Sequence, residues 1–300
     1  RHGCSCRHHV PRPTGYLGIV LAGRNKSLRL IESPQILSCL LAIRELETPR
    51  FFLDQAMLDA MDCERLGILV QRSCHLKYLT LHLTHLEDPQ ILAESMGNAI
   101  HLQELTIEDR SERPSTHEER QQRPTLADSF VRPGGNDIVR RLLQNSQSCL
   151  KMLCLHSMQL DDRHFMVIVD ALPTSQLEDL DVSNNKIQCQ SILSFAAQLC
   201  TNKTLTRVNL ARNPWEDDWE ELEKCWTALQ QGLAENYSMH YLGTRKRKRS
   251  PLKKLADYYC RLNRAGRQIL STSDMVPLGL WPLILQRAGK DKGKHLRPGD

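Results

Sequence analysis

The chain has 300 residues, of which 40% are hydrophobic, so it is long enough to bury a sizeable core. No apolar run approaches the roughly 20 residues that a membrane-spanning helix needs, and the first ten residues lack the apolar segment of a signal peptide. Eleven cysteines without such a signal predict reduced thiols in a cytoplasmic or nuclear protein, most of them packed as small hydrophobic side chains.

The formal net charge of +5 is distributed unevenly along the chain. Residues 244–300 contain 15 Lys or Arg and 4 Asp or Glu, whereas residues 1–243 contain 25 and 31. An acidic body with a basic tail predicts two functional surfaces.

One pattern of apolar residues recurs along the chain. In LEDLDVSNNKI (177–187), apolar residues take the first, fourth, sixth and eleventh places, and an asparagine takes the ninth. The other copies start at Leu76, Leu102, Leu150 and Leu205, with a degraded copy at Tyr237. Starts are 26 to 32 residues apart except for one interval of 48. Such constant spacing indicates an array of repeats.

The interval of 48 residues contains a polar, proline-bearing stretch, for which we predict a disordered insertion over 110–136. Between the other starts the apolar period becomes helical. The longest helical stripe consists of Trp219, Leu222, Trp226, Leu229 and Leu233. Each unit is therefore predicted to be one short strand followed by one helix.

Residues 76–243 resemble leucine-rich repeats of the ribonuclease-inhibitor-like kind. The resemblance implies an α/β solenoid with a curved parallel sheet inside and helices outside. Strands stack about 4.8 Å apart, whereas helix axes need roughly 8–10 Å, so the helices splay outward and the sheet becomes the inner wall. We expect degenerate repeats or a cap over 28–75 and a disordered leader over 1–27.

The ninth-place asparagine of such repeats bonds backbone groups in the turn after the strand. It is present here only as Asn185 and Asn213, and Thr84, Arg110 and Met158 replace it in the earlier copies. We therefore expect looser turns in those copies.

The end of a solenoid needs a cover for its last apolar face. We predict a basic loop over 244–254, a helical cap over 255–288 and a disordered basic tail over 289–300. The segments YYCRLNRAGR and LGLWPLILQRA resemble the tail of diatom-type leucine-rich repeat proteins, which implies only that the cap belongs to the fold. In the alternative, Trp281 and its neighbours form an exposed helix for a partner groove.

Side chains at the third, fifth and seventh places of each strand point away from the core, and we call their surface the concave face. Its acidic spots would steer a protein partner with a basic centre, although solvated strand residues would give the same pattern. The candidate binding residues are Tyr78, Thr80, His82, Glu104, Thr106, Glu108, Met152, Cys154, His156, Asp179, Asp181, Ser183, Arg207 and Asn209, with Arg212 at an eighth place.

Cys154, His156 and Asp181 include the residue types of a nucleophile, a base and an orienting carboxylate. However, residues two apart on a strand lie about 6.5–7 Å apart, beyond hydrogen-bond reach, and an open wall does not exclude water. The cysteines and histidines of CSCRHH (4–9) lack the spacing of a structural zinc site. We therefore predict no catalytic residue, metal or cofactor.

The uninterrupted run Lys246, Arg247, Lys248 and Arg249 matches the form of a nuclear import signal, and Ser250 before Pro251 resembles a phosphorylation site that would switch it. The run could equally be a polyanion contact or a solvated loop. Aromatic residues do not interleave with it, which argues against a nucleic-acid partner.

These features favour a non-enzymatic scaffold that binds a protein through the concave face. One alternative is a regulator of a small GTPase or an inhibitor of an enzyme, since similar repeats serve both roles. The GTPase activators carry an acidic tail, and the basic tail here counts against that role. A second alternative is a nuclear factor directed by the basic run.

Overall fold

The structure is a computed structural model that describes residues 16–18, 27–31, 48–87, 89–109, 126–131, 138–217, 219–245, 251–268 and 280–290. Nine strands within these ranges form one sheet in chain order. The strands are β1 (Tyr16–Gly18), β2 (Ser27–Ile31), β3 (Arg50–Leu58), β4 (Tyr78–Leu86), β5 (Glu104–Asp109), β6 (Met152–Cys154), β7 (Asp179–Asp181), β8 (Arg207–Asn209) and β9 (Tyr241–Gly243). β1 is antiparallel to β2, and all later pairs are parallel.

Helices connect the successive parallel strands from β3 to β9 and continue after the last one. Those in the described residues are α1 (Ala60–Arg72), α2 (Pro89–Met96), α3 (Leu126–Phe130), α4 (Ile138–Gln144), α5 (Asp162–Ala171), α6 (Cys189–Leu199), α7 (Trp219–Glu235), α8 (Pro251–Arg264) and α9 (Leu280–Lys290). This alternation confirms the predicted α/β solenoid of leucine-rich repeat type with a helical C-terminal cap.

One continuous apolar core lies between the sheet and the helices. The fourth- and sixth-place residues of the repeats that start at Leu76, Leu102, Leu150, Leu177 and Leu205, such as Leu180 and Val182, are buried in it. From the helix side, Phe165 of α5 and Phe195 of α6 bring their ring centroids to 5.8 Å. Burying a side chain of this size contributes about 1.5–3 kcal/mol, so each repeat is stabilised chiefly by its neighbours.

The two ninth-place asparagines form a ladder inside the turns that follow the strands. Asn213 is 1% exposed and donates to the carbonyls of Val182 and Leu210 at 3.0 Å each. Its Oδ1 accepts from the N–H groups of Asn185 and Ile187 at 3.1 and 3.2 Å. Asn185 continues the ladder to the preceding repeat, where its Oδ1 accepts from Leu160 N–H at 3.0 Å.

The expectation of looser turns in the early repeats is wrong at Thr84. There the strand does not turn but continues to Leu86, and Thr84 Oγ1 donates to the carbonyl of Ala56 in β3 at 3.2 Å. At Met158 the chain does turn. The Met158 side chain is fully buried at the ninth place, which an asparagine occupies in the two later repeats. Ser157 and Gln159 beside it have φ angles of 59° and 61°. Arg110 lies outside the described residues.

A second asparagine ladder, which the sequence analysis missed, lies where the chain enters the strands. Asn236 is 1% exposed, donates to the carbonyls of Leu199 and Asn202 at 2.8 Å each, and accepts from Met239 N–H at 2.6 Å. Asn263 of α8 donates in turn to Asn236 at 3.0 Å and to Met239 at 2.8 Å. These bonds join the cap to the last repeats through buried polar groups.

The structure corrects the predicted segments near the N-terminus and at the last repeat. The leader predicted to be disordered over 1–27 contains strand β1. The segment 28–75, which was predicted to contain degenerate repeats or a cap, is not among these corrections, since β2 and β3 pair in the parallel sheet. At the other end, Tyr241 pairs with Arg207, which places the start of the degraded repeat at Met239 instead of Tyr237.

The prediction of a disordered insertion over 110–136 is wrong at residues 126–130, and residues 110–125 and 132–136 lie outside the described residues. Residues 126–130 form helix α3, in which Ala127 and Phe130 are fully buried. Asp128 of α3 lies 3.1 Å from Nε2 of His164 in α5, and the backbone N–H of Asp161 donates to Nδ1 of the same ring at 3.2 Å. The buried imidazole thus fastens α3 to the repeat that follows.

The cap differs from its predicted bounds because α8 begins at Pro251, inside the segment predicted as a loop, and α9 ends at Lys290. Arg267, just after α8, fastens the cap to the last helix of the array. Its guanidinium lies 4.4 Å from the ring centroid of Tyr237 and 5.0 Å from that of Tyr259, and it donates to the carbonyl of Ala234 near the end of α7. The same guanidinium thus stacks on two aromatic rings and donates a hydrogen bond to a carbonyl at the C-terminal end of α7.

Cys189 of α6 and Cys225 of α7 are joined as a disulfide between neighbouring helices. The prediction of reduced thiols is therefore wrong for this pair. Among the described residues, no helix is both long and apolar enough to cross a membrane.

We expect Asn213→Ala to lower the free energy of unfolding by about 3 kcal/mol, because it leaves buried N–H and C=O groups without partners. Chemical denaturation of the full chain measures this change. The matched control is Gln190→Ala on the exposed surface of α6, which should shift stability by less than about 0.5 kcal/mol. Equal effects of the two substitutions would show that the ladder does not stabilise the turns.

Candidate partner-binding face

The parallel register brings the predicted binding residues into rows across the strands. At the third place, Tyr78, Glu104, Met152, Asp179 and Arg207 lie side by side on β4 to β8. At the fifth place the row is Thr80, Thr106, Cys154, Asp181 and Asn209. All ten side chains are partly exposed, while the places between them are buried. The concave face is therefore a continuous surface of the sheet.

The seventh-place residues form polar contacts between neighbouring strands. Nδ1 of His82 lies 3.1 Å from Oδ1 of Asp54 on β3, and its Nε2 lies 3.4 Å from Oε2 of Glu108 on β5. The edge of the Phe52 ring approaches the same imidazole, with centroids 4.8 Å apart. Asp109, beside Glu108, accepts from Nε2 of Gln159 at 3.2 Å.

Two arginines lie toward opposite ends of the third-place row of the concave face. The Arg50 guanidinium of β3 lies over the Tyr78 ring, 4.4 Å from its centroid. Toward the other end, Nε of Arg207 lies 3.1 Å from Oδ2 of Asp179, and its guanidinium is 5.5 Å from the centroid of Tyr241. The carboxylates of β5 and β7 lie between these two cations, so the middle of the face is acidic.

Two of these carboxylates have altered acidity. Burial raises the pKa of Glu104, and the charge of Arg50 opposes the rise. Burial likewise raises the pKa of Asp179, against the charge of Arg207. A cationic group placed between them would relieve this desolvation cost, since an opposite charge favours the ionised carboxylate.

The catalytic arrangement considered for Cys154, His156 and Asp181 is not assembled. Oδ1 of Asp181 accepts from the Ser183 hydroxyl at 2.6 Å, and its Oδ2 accepts from Nδ2 of Asn209 at 2.9 Å. The Ser183 hydroxyl donates its one hydrogen to Asp181, so it can only accept from His156. Nδ1–H of His156 therefore donates to Ser183 Oγ at 2.9 Å. The carboxylate therefore holds a serine and an asparagine, and His156 carries a proton on the nitrogen that faces them.

The thiol of Cys154 is not activated. Burial, reinforced by the charge of Asp181, raises its pKa to about 12. A thiolate nucleophile requires a lowered pKa, such as a neighbouring cation provides. Cys154 therefore behaves as a small apolar residue.

Two predicted residues differ in place from the others. Ser183 was expected on the surface but is only 5% exposed, because it is held between Asp181 and His156. Arg212 is exposed but belongs to the turn after β8, where its φ is 62° and its N–H donates to Oε2 of Glu216 at 3.0 Å. Neither side chain is therefore part of the partly exposed third- and fifth-place rows of the concave face.

The concave face also extends onto β3 and β9, beyond the residues predicted from the sequence. Arg50 pairs with Tyr78 and Phe52 with Thr80 on one side, and Tyr241 pairs with Arg207 on the other. The signal was present in RFFLDQAML, where Phe51 and Leu53 stand 28 residues before Leu79 and Leu81 and are buried like them.

Other predicted features lie outside the described residues, namely residues 4–9 and the basic run Lys246 to Arg249 with Ser250. Within the described ranges, no group of three or more His, Cys, Asp or Glu side chains could hold a metal ion.

We expect Cys154 to resist alkylation at pH 8, because a thiol with a pKa of about 12 is then only about 10⁻⁴ ionised. Iodoacetamide labelling followed by peptide mass spectrometry measures the rate. The exposed Cys149 is the internal control, and we expect it to react at least 100-fold faster. Comparable rates would mean that Cys154 is activated after all.

Known proteins similar to this chain are found among solved structures. No protein-family model matches the chain, and neither does any curated protein. Similar solved structures include leiomodin-1 actin-binding site 2, with a TM-score of 0.46 and 16% identity over 60% of this chain and 91% of that chain. The tropomodulin C-terminal domain of Caenorhabditis elegans has a TM-score of 0.43 and 12% identity over 60% of this chain and 97% of that chain. At these scores we transfer neither partner nor function.

Proposed function

We propose that the protein is a non-enzymatic scaffold that binds another protein through the concave face. The observation that supports this proposal is the pair of aligned rows of exposed or partly exposed side chains, which run from β3 to β9 at the third place and from β3 to β8 at the fifth place. Seven parallel strands at about 4.8 Å spacing give a surface roughly 29 Å wide. That width accommodates a helix or an extended segment of a partner, and concave surfaces of repeat arrays commonly bind proteins.

The chemistry of the concave face favours a partner with a cationic centre and an apolar or aromatic rim. Tyr78 and Met152 stand on either side of Glu104 in the third-place row. Aromatic residues and methionine are enriched at protein interfaces, and the neighbouring carboxylates provide the complementary charge. Most polar side chains of the face already contact one another, so the surface is preorganised and little ordering entropy is lost on binding.

The catalytic alternative gains no support from the site, because the thiol is neutral and the carboxylate is engaged elsewhere. Regulation of a small GTPase and nuclear import remain predictions from the sequence. Faster nucleotide turnover on addition of the purified protein would support the first. Loss of a fluorescent fusion from the nucleus when Lys246 to Arg249 are neutralised would support the second.

Glu104→Lys tests the proposed surface with the least damage to the fold. Glu104 lies in the middle of the face, and its substitution leaves the Asp179–Arg207 pair and the bonds of Asp181 in place. The matched control is Glu223→Lys on the exposed surface of α7, on the helix side of the solenoid.

We expect wild type and Glu223→Lys to capture the same protein from cell extract, and Glu104→Lys to capture at least about tenfold less of it, because a reversed charge at the centre of an interface repels a cationic partner. Quantitative mass spectrometry of the captured proteins measures the ratio. Undiminished capture by Glu104→Lys would refute binding through this surface. Circular dichroism of all three proteins checks that they are equally folded.

A further inference from the structure

The last helix of the cap carries apolar side chains that the fold does not cover. Trp281, Leu283 and Leu285 of α9 are 42%, 50% and 46% exposed. They are three of the seven large hydrophobic side chains exposed among the described residues, and they lie within five residues of one another. Soluble proteins rarely cluster such side chains without a binding role.

α9 is anchored on one side only. Its Ile284 and Ala288 are buried against Leu262 of α8 and Ala265 just beyond it. At 100° per residue, Leu283 lies about 160° around the helix from Leu285. The exposed apolar residues therefore flank the anchored side in both directions instead of forming one stripe.

Polarity changes along the axis of α9. Its first six residues, LWPLIL, are all apolar, whereas the last five, QRAGK, contain Arg287 and Lys290, both exposed. Trp281 and Arg287 are six residues apart, or about 9 Å along the axis. The apolar side chains and the cations of α9 are therefore separated along the helix axis.

The charged side chains of α8 and α9 are mostly positive. α9 contains no acidic residue, and α8 beside it presents the exposed Lys254 and Arg264 and the partly exposed Arg261, with Asp257 as an acidic exception. Two copies of this surface would repel each other. An anionic surface would complement it.

We propose that the α9 end of the cap binds the surface of an anionic lipid membrane. Trp281, Leu283 and Leu285 enter the boundary of the acyl chains, and Arg287 and Lys290 contact the headgroups. An acidic protein groove would cover one side of the helix, whereas a fluid lipid phase can surround its apolar end, which fits apolar residues on both flanks. The contact is peripheral, because eleven residues of helix extend only about 16 Å.

Vesicle sedimentation of the full chain tests this proposal. We expect at least tenfold stronger partitioning to phosphatidylcholine vesicles that contain phosphatidylserine than to phosphatidylcholine alone. The triple variant Trp281→Ser, Leu283→Ser and Leu285→Ser should lower partitioning at least tenfold, since it removes apolar side chains that are 42–50% exposed. Arg287→Gln with Lys290→Gln should weaken binding and reduce its salt dependence.

The matched control is Met57→Ser with Met61→Ser, which removes side chains that are 67% and 53% exposed outside the cap. It should leave partitioning unchanged, and circular dichroism should show all variants equally folded. Three outcomes would overturn the proposal. They are equal binding to neutral and anionic vesicles, anionic binding that the triple variant retains, and absence of vesicle binding while the triple variant loses capture of a protein from extract. The third outcome would assign α9 to a protein groove.

Discussion

The five repeats that start at Leu76, Leu102, Leu150, Leu177 and Leu205 bury their fourth- and sixth-place side chains against the helix of their own unit and against the neighbouring repeats. A single strand and helix cannot cover these side chains alone, so the repeats are stable only as a stack. The same burial fixes the register, since a slip of one residue would expose every buried side chain of a strand. The third- and fifth-place rows of the concave face exist because the register is held in this way.

Buried asparagine side chains form hydrogen bonds with backbone groups that apolar packing would leave without partners. The turns after β7 and β8 and the entries to β8 and β9 would each leave backbone groups without partners inside the core. Asn185 and Asn213 satisfy them on one side of the sheet, and Asn202, Asn236 and Asn263 on the other. Where the asparagine is missing, the chain finds another solution: β4 continues its ladder with β3, and the turn near Met158 borrows Oδ1 of Asn185 from the next repeat.

The concave face and the outer surface of the cap differ in physical character, in agreement with the uneven distribution of charge along the chain. The first is a preorganised, acidic sheet surface whose side chains contact one another, and for it we propose a structured cationic partner. The second combines exposed apolar side chains with positive charge on α9, which is anchored by only a few buried residues. The two proposed contacts use separate residues, so the protein could hold a partner near a membrane without one contact blocking the other.

The sequence by itself determined the repeat unit, the parallel rows from Tyr78 to Arg207 and the buried leucines, because each of these follows from a local pattern with a constant period. It also indicated that Cys154 and His156 are too far apart for catalysis, because strand geometry sets that distance. Only the tertiary structure decided the start of the last repeat at Met239, the helix at residues 126–130, and the bonds that engage Asp181. These depend on which side chains meet across repeats, as when Asp128 meets His164, and such contacts between distant residues leave no period in the sequence.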